Sequence, residues 1–272
     1  MKIAYKHLIK YINSKPSISE LSDKLFQLGH ENEVVDNSIF DMEFTPNRGD
    51  CLSVNGILRD LSVFYEVNFN PKIFQHSLKD LDINFYNEYE EACPKISFLK
   101  IDIAKNFSAY KDYLNDYFFD LDLKKNNFFT DISNYISYEM GQPTHCYDSS
   151  KITGKIILQN LDREATFETL LDTNISLKDK NAVFTMNKNV INLAGVMGGK
   201  STSCSDITTS AIIECAYFKP ELIIGKTIKY DLTSDAAYKF ERGVDPNAHE
   251  KVLRRFISII EDHTKIKNVE FV

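Results

Sequence analysis

Residues 189–246 are the most informative part of the chain and read NVINLAGVMGGKSTSCSDITTSAIIECAYFKPELIIGKTIKYDLTSDAAYKFERGVDP. Three of the ten glycines, Gly195, Gly198 and Gly199, fall within five residues, directly after the β-rich run 190–193. Because glycine tolerates a positive φ and lets another group approach its backbone closely, this pattern predicts a tight turn without side chains. The turn has neither the GxGxxG pattern of dinucleotide-binding loops nor a GK[ST] at the spacing that a P-loop requires.

The strand predicted next, residues 211–216, reads AIIECA and carries one carboxylate, Glu214, in an otherwise apolar run. A buried carboxylate destabilises a protein unless it is hydrogen-bonded. Two interpretations are therefore open. Glu214 either lies on an edge strand and faces water, or it lies in a pocket and accepts a hydrogen bond from a ligand.

The composition bounds the class of protein. A chain of 272 residues, of which 43% are hydrophobic and 26% charged, can form one large or two smaller globular domains. The net charge of −7 argues against a nonspecific nucleic-acid coat, although it is compatible with a local basic groove.

The cysteines and the N-terminus indicate the cellular setting. The five cysteines are scattered without a CxxC pair, which favours reduced thiols in a cytoplasmic protein over a disulfide framework or a zinc site. The N-terminus lacks the apolar segment of a secretion signal, and the chain has no run of about 20 apolar residues. We therefore predict a cytoplasmic protein without a membrane span.

The first part of the chain is predicted to be a small helical domain with a short hairpin. We expect helices over 5–12 and 18–28, with Ser17 and Glu20 as a capping box and Gly29 ending the second helix. Residues 33–44 are predicted to form strand and turn, and Asp50 to cap a third helix that runs to about Tyr65. The predicted domains are 1–75 and 76–272, with residues 71–81 as a connector.

The second part is predicted to be a layer of short strands with three helical or turn segments. Strands are expected at 96–103, 155–158, 165–171, 182–185 and 268–272, and their spacing favours a β-sandwich or barrel layer. Helices are expected at 110–123 and 250–261. The aromatic residues of the former are typical of a core rather than of a base-stacking platform. A turn at 141–143 presents His145, which is either a site residue or a structural histidine.

Six segments in order resemble the motifs of the bacterial phenylalanyl-tRNA synthetase β subunit. They are EFTPNRGDCLS at 43–53, SNY at 133–135, GQPTH at 141–145, LAGVMGG at 193–199, ECAYF at 214–218 and FERGVDP at 240–246. The resemblance covers essentially the whole chain. It implies an α+β fold, in which a small N-terminal helical (winged-helix-like) domain precedes a mixed β-sandwich/α editing domain. In that family the editing domain hydrolyses tyrosine wrongly esterified to tRNA(Phe).

The chain departs from that family in three places. The chain passes almost directly from residues 35–36 to the first motif at 43–53, so the inserted OB-fold module is missing. Nothing resembles the family's later domains or an ATP site. ATP and Mg²⁺ would belong to the synthetase active site, so no cofactor is expected in this chain. Residues 124–129 lack the glycine and arginine that the family carries at a tRNA-contacting edge. The sequence is compatible with a fragment of a longer subunit or with a free-standing reduced relative.

The resemblance also assigns roles to individual residues. Glu214 stands where the family recognises the tyrosyl hydroxyl, and Ser133 and Ser234 replace the family's threonines while keeping a hydroxyl. We expect a positioned water to attack the ester, without a metal. The predicted catalytic residues are His145, Asn134, Ser133 and Ser234, and the predicted substrate-binding residues are Glu214, Gly195, Gly198, Ala216, Ala236 and Pro143.

Two classes of function follow. The first is an editing hydrolase whose partners are the 3′ end of tRNA(Phe) carrying tyrosine and the synthetase α subunit or the remaining β domains. The second is a non-catalytic tRNA-binding or assembly module that has kept the fold. The presence of all five family residues Glu214, His145, Asn134, Gly198 and Ala216 favours the first class, because a scaffold does not need an unpaired acid in a pocket.

Overall fold

The computed structural model describes residues 1–104, 109–178 and 180–272. The first part of the chain contains three strands as well as helices, and the strands form an antiparallel sheet in the order β1-β3-β2. Its elements are β1 (Lys2–Ala4), α1 (Tyr5–Ile9), α2 (Ile18–Gln27), β2 (Glu31–Val35), β3 (Ile39–Glu43) and α3 (Val54–Leu61). The predicted hairpin is therefore confirmed, but β1 was not predicted and extends it to a three-stranded sheet.

Three predictions for these helices are wrong, and all three errors concern helix ends. The first helix stops at Ile9, and Ile12 pairs instead with Val67 in an isolated antiparallel bridge. Asp50 does not cap the third helix, because its carboxylate binds the guanidinium groups of Arg48 and Arg59. The cap is Ser53, whose hydroxyl accepts a hydrogen bond from the backbone N–H of residue 56 at 2.9 Å, and the helix ends at residue 61 rather than at about 65.

One of the two hydrogen bonds of the predicted capping box is present at the start of the second helix. The Ser17 hydroxyl accepts a hydrogen bond from the backbone N–H of Glu20 at 3.2 Å. Gly29 follows the helix with a φ of +82°, as a glycine at this position should. Here local signals are sufficient, because both the cap and the C-terminal glycine act within one helical turn.

The second part of the chain carries two five-stranded sheets. The first sheet has the order β4-β15-β6-β14-β7 and the second the order β13-β12-β11-β8-β5. The elements are β4 (Lys79–Asp80), β5 (Phe85–Asn87), β6 (Lys95–Ile103), α4 (Asp112–Asp120), α5 (Phe128–Met140), β7 (Thr144–Asp148), β8 (Ile156–Leu161), β9 (Ala165–Glu168), β10 (Asn174–Leu177), β11 (Asn181–Met186), β12 (Asn189–Leu193), β13 (Met197–Gly198), β14 (Ser210–Tyr217), α6 (Lys226–Tyr230), α7 (Asp235–Phe240), α8 (His249–His263) and β15 (Ile266–Phe271).

The alternation along β14 shows how the layers stack. Ile213 and Cys215 belong to the apolar core that includes α5 and α8, whereas Ile212 and Ala216 belong to the core shared with the second sheet. Since successive side chains of a strand point to opposite faces, Glu214 lies on the same face as Ile212 and Ala216, between the two sheets. The result is a helical layer on one side of a two-sheet sandwich, which is an α+β fold.

The segment 71–81 is held against the last helix. The Lys72 ammonium lies 2.9 Å from the Glu261 carboxylate, and Arg254 donates hydrogen bonds to the carbonyls of Phe74 and His76. The first apolar core also continues from residues of α1–α3 into α5 and α8. The division into domains 1–75 and 76–272 stays a prediction. Among the described residues, no helix is both long and apolar enough to cross a membrane.

Candidate functional site

The sheet pairing brings two of the predicted site residues together. β14 lies between β6 and β7, and in the antiparallel pair with β7 the residue opposite Glu214 is His145. The interpretation of Glu214 as an edge-strand residue is therefore wrong. Gly141 ends α5 with a φ of +84°, and the chain reverses there to enter β7. The predicted turn thus directs His145 into the sandwich.

A cavity of about 60 Å³ lies between the sheets at this point. A water molecule takes about 30 Å³ of liquid, so an aromatic amino acid enters only if the cavity widens. The walls combine two titratable side chains with glycines and aromatic rings. The lining residues are Pro143, Thr144, His145, Asn192, Gly195, Val196, Met197, Gly198, Glu214, Phe218, Ala236 and Phe240.

Glu214 is buried but not unpaired. Its Oε2 accepts a hydrogen bond from the Tyr147 hydroxyl at 2.6 Å and a longer one from the Asn192 amide at 3.4 Å. The expectation that Glu214 has no hydrogen-bond partner within the protein is therefore wrong. Burial raises the pKa of the Glu214 carboxyl to about 7, and the hydrogen bond from Tyr147 opposes part of this shift. The group can consequently change its charge near neutral pH.

His145 is a neutral imidazole with a buried ring nitrogen that is available to a ligand. Burial lowers its pKa to about 4, so the ring carries no charge at neutral pH. The ring packs edge-on against Tyr147, with 4.4 Å between the ring centroids. Its Nε2 is buried and has no hydrogen-bond partner in the part of the chain that the structure describes. Such an atom can bind a water or a ligand that enters the cavity.

The glycine turn allows the backbone to come close to the histidine. A Cβ on Gly198 would lie 2.2 Å from the Cε1 atom of His145. Gly195 has a φ of +70°, and a Cβ there would lie 2.7 Å from the Ile223 side chain. Both glycines are therefore required by contacts across the fold, which the sequence could indicate only as a tight turn.

Two other predicted site residues, Ser133 and Asn134, lie in a second space next to the cavity. A groove of about 810 Å³ shares Pro143, Thr144 and Ala236 with the cavity, and Ser133 and Asn134 line the groove rather than the cavity. The Ser133 hydroxyl also donates a hydrogen bond to the Thr144 carbonyl at 2.7 Å. The structure thus divides the predicted site into an inner cavity and an outer groove.

Two predicted site residues, Ser234 and Ala216, line neither the cavity nor the groove, but their hydrogen bonds hold the walls in place. The Ser234 hydroxyl accepts from the backbone N–H of Ala237 at 3.1 Å, which caps α7, and donates to the carbonyl of Val196 at 2.5 Å. It therefore holds the glycine turn in place. The carbonyl of Ala216 accepts a hydrogen bond from the buried Gln142 amide at 3.0 Å, which ties β14 to the turn before β7.

Two polar residues of the site were missed by the sequence analysis. Tyr147 follows His145 by two residues in β7, so a strand assigned there would have placed both on one face. Asn192 lies in the β-rich run before the glycines, and its amide donates to the Tyr147 oxygen at 2.9 Å. No sequence signal connects the two, because the contact joins different sheets.

A separate cluster of metal-ligating side chains lies near the N-terminal sheet. The potential ligand atoms of His30, Cys51 and Asp60 lie within 4.8 Å of one another. However, the Asp60 carboxylate is already bound by the guanidinium groups of Arg48 and Arg59, at 2.5 and 2.8 Å. These two cations neutralise the cluster, which is therefore better described as an ion-pair network than as a metal site.

The raised pKa of Glu214 predicts a pH-dependent stability. In the folded protein this pKa is about 7, against an ordinary value of 4.5, so the folded protein keeps a proton that the unfolded chain loses. The stability that this group contributes is present below pH 4.5 and is lost as the pH rises through 7. Glu214→Gln should therefore stabilise the protein by about 3 kcal/mol at pH 8 and change little at pH 4.5. Urea unfolding at both pH values measures this, and an equal difference at both would contradict it.

Most of the chain is similar in sequence to known proteins. Residues 92–265 match the model of the B3/4 domain, so the chain is a B3/4-domain protein. It is 32% identical over 238 residues to the phenylalanine–tRNA ligase β subunit of Psychrobacter arcticus, and 33% identical over 257 residues to that of Protochlamydia amoebophila. These alignments cover 85% and 92% of this chain. The chain is thus a B3/4-domain homologue of phenylalanine–tRNA ligase β subunits.

The chain spans only part of these relatives. The same two alignments cover 29% and 32% of the relatives' own lengths. Among solved structures, an N-terminal fragment of the phenylalanyl-tRNA synthetase β subunit from Pyrococcus horikoshii is similar with a TM-score of 0.42 and 13% identity. That alignment covers 89% of this chain and 74% of the fragment.

Proposed function

We propose that the cavity between the two sheets is an editing site that hydrolyses tyrosine wrongly esterified to tRNA(Phe). The observation that carries the proposal is the position of Glu214, a buried carboxylate on a central strand that lines a small cavity beside a neutral His145. Family membership supports the substrate class, since the relatives are phenylalanine–tRNA ligase β subunits.

Glu214 offers a basis for selecting tyrosine. Its Oε2 is occupied by Tyr147 and Asn192, whereas Oε1 receives no hydrogen bond from residues 1–104, 109–178 or 180–272. A tyrosyl hydroxyl can donate to this oxygen, and a phenylalanyl ring cannot. Sites that hydrogen-bond a substrate hydroxyl can reject the analogue lacking it by about 10⁴–10⁵, because the buried polar group is then left without a partner.

The chemistry requires only a positioned water. The water oxygen forms a bond to the ester carbonyl carbon, the bond from that carbon to the ribose oxygen breaks, and the ribose oxygen takes up the proton. His145 can orient this water through its Nε2, and the side-chain amide of Asn134 at the groove can donate to the oxyanion. Ser133 and Ser234 act as positioning residues, since their hydroxyls bind the carbonyls of Thr144 and Val196.

Other parts of a ligase are proposed to deliver the tRNA. The chain carries a net charge of −7, which gives little electrostatic attraction to a polyanion. Binding energy from distant parts of a substrate helps to position its reacting end, so their absence lowers turnover as well as affinity. The proposed partners are the 3′ end of tRNA(Phe) and the α subunit or the remaining β domains. The proposed location is the cytoplasm.

The test is the release of labelled tyrosine from Tyr-tRNA(Phe), with and without added phenylalanine–tRNA ligase whose own editing site is inactivated. We expect slow release by the chain alone and faster release with the ligase. His145→Ala should lower the rate by about 100-fold, within the range reported for losing a group that assists the transition state. His249→Ala is a matched control. His249 is buried, its ring nitrogens have no hydrogen-bond partner among the described residues, and it lies outside the cavity lining.

A second candidate function is a non-catalytic tRNA-binding or assembly module. The small volume of the cavity and the existing bond from Tyr147 to Glu214 favour it. Equal rates for the wild type, His145→Ala and His249→Ala, indistinguishable from spontaneous hydrolysis in both conditions, would replace the editing proposal with this one.

We also propose a winged-helix-like N-terminal domain over residues 1–75. The supporting observation is the order β1-α1-α2-β2-β3, in which two helices precede an antiparallel hairpin that pairs with the first strand. Its register joins Lys2 to Asp41 and Glu31 to Glu43.

A further inference from the structure

The side chain of Tyr147 lies beside Glu214, the carboxylate that is proposed to recognise the tyrosyl ligand. The Tyr147 hydroxyl donates to Oε2 of Glu214 at 2.6 Å and accepts from the Asn192 amide at 2.9 Å. The three residues come from β7, β14 and β12, so the chain of hydrogen bonds crosses from one sheet to the other. Tyr147 is fully buried, and Asn192 and Glu214 are nearly so.

The direction of these hydrogen bonds is determined by chemistry. An amide N–H₂ can only donate, so the Tyr147 oxygen must accept from Asn192 and use its own proton elsewhere. The acceptor within reach of that proton is Glu214 Oε2. This series of hydrogen bonds, from the Asn192 amide through the Tyr147 hydroxyl to the carboxylate, stabilises the ionised form of Glu214.

Within residues 1–104, 109–178 and 180–272, no cation contributes to the pKa shift of Glu214. His145 faces the carboxylate from β7 and is neutral, because burial lowers its pKa to about 4. The remaining titratable neighbours are the thiols of Cys93, Cys146 and Cys215, and burial raises the pKa of each of them. Hydrogen bonds from Tyr147 and Asn192 are thus the described contacts that oppose protonation of Glu214.

We propose that Tyr147 is a positioning residue for recognition at this site: it holds Glu214 Oε2 so that Oε1 remains available, as an ionised acceptor, for the hydroxyl of a tyrosyl ligand. This inference rests on the proposed function. It adds that the selectivity is set by Tyr147 and Asn192 as well as by Glu214. The Tyr147 ring also packs against His145, so the same residue orients both polar groups of the cavity.

The proposal predicts a pH profile for selectivity. Ligand preference is measured as the ratio of the affinities for L-tyrosine and L-phenylalanine, because their shared amino and carboxyl groups cancel in this ratio. A ligand hydroxyl binds a carboxylate more strongly than a protonated carboxyl group. In the wild type the ratio should therefore rise with pH and have its midpoint near 7, the pKa that burial gives Glu214.

The experiment is calorimetric titration of the chain with both amino acids between pH 5.5 and 9. Tyr147→Phe removes the donor but keeps the ring, so the midpoint should move upward by about one pH unit or more. The tyrosine preference should then fall by about tenfold at pH 7 and recover near pH 9. Asn192→Ala should cause a smaller shift in the same direction. The Asn192→Ala variant tests the proposal even if the Tyr147→Phe variant does not fold.

The matched control is Tyr135→Phe. The Tyr135 hydroxyl also donates to a buried glutamate, Glu139, at 2.9 Å, but this pair lies outside the cavity lining. This variant should keep the wild-type profile, which separates the pH shift from a general loss of stability. Melting temperatures of all variants are measured alongside.

The outcomes separate this inference from the proposed function. A wild type without a tyrosine preference at any pH would contradict recognition by Glu214 and with it the inference. A wild type with the expected profile and a Tyr147→Phe variant with the same midpoint would overturn the inference alone. So would a Tyr147→Phe variant whose tyrosine preference rises at every pH, since Tyr147 would then compete with the ligand for Glu214.

Discussion

Replacing Gly198 with alanine should lower the rate of tyrosine release from Tyr-tRNA(Phe) by about 100-fold and abolish tyrosine binding. The added Cβ would lie 2.2 Å from the His145 ring and 2.9 Å from the Leu170 side chain, so the ring must move. Displacing a group that contacts the reacting atoms by about 1 Å can reduce a rate by this factor. The cost in stability should be smaller, about 1–3 kcal/mol, as for other overpacked positions.

The measurements for this variant are the release rate, the affinity for L-tyrosine and the melting temperature. Gly154→Ala is the matched control, since a Cβ there meets the end of the Asn187 side chain, at 2.7 Å, rather than a site residue. It should keep both the rate and the affinity. A Gly198→Ala protein that is folded and as active as the wild type would show that His145 does not need its present position.

The largest effect on stability is expected for Glu139→Ala. The Glu139 carboxylate and the Arg255 guanidinium join α5 to α8 through two hydrogen bonds, at 2.7 and 2.9 Å, and both side chains are buried. Removing the carboxylate leaves a buried cation without its counter-charge. The free energy of unfolding should fall by about 3–5 kcal/mol, which corresponds to about 10 °C in the melting temperature of a protein of this size.

The control for this variant is an ion pair within α8, the helix that carries Arg255. Glu250→Ala breaks the exposed pair with Arg254, whose atoms lie 2.9 Å apart, and should change the free energy of unfolding by less than about 1 kcal/mol. A double variant, Glu139→Leu with Arg255→Met, should recover much of the loss because no unpaired charge remains. If Glu139→Ala and Glu250→Ala have the same melting temperature, the buried pair does not stabilise the contact between α5 and α8.

Much of the secondary structure could be predicted from local sequence signals. The capping box at Ser17, the long strand before residue 104 and the last amphipathic helix were all predicted near their observed positions. Element ends were less predictable. Asp50 and Ser53 are both good capping residues, and the choice between them depended on Arg48 and Arg59, which bind the aspartate.

For the site, the sequence by itself determined which residue types were present and in which local segments they lie. It placed Glu214 in an apolar strand, His145 after the turn at 141–143 and the glycines in a tight turn, because strand propensity and glycine geometry act over a few residues. The resemblance to a synthetase subunit also followed from linear motifs, and the family matches confirm it.

Only the tertiary structure decided how these residues are connected. It made β14 a central strand, separated the Ser133 and Asn134 groove from the Glu214 cavity, and paired Glu214 with Tyr147 and Asn192. These contacts join residues up to 67 positions apart. The contact of Tyr147 with Glu214 arises from the pairing of β7 with β14 in one sheet, and the contact of Asn192 arises from the packing of the other sheet on it. The charge state and the available oxygen of Glu214 depend on that packing, because burial and hydrogen bonding, rather than residue type, set the pKa of a buried carboxyl group.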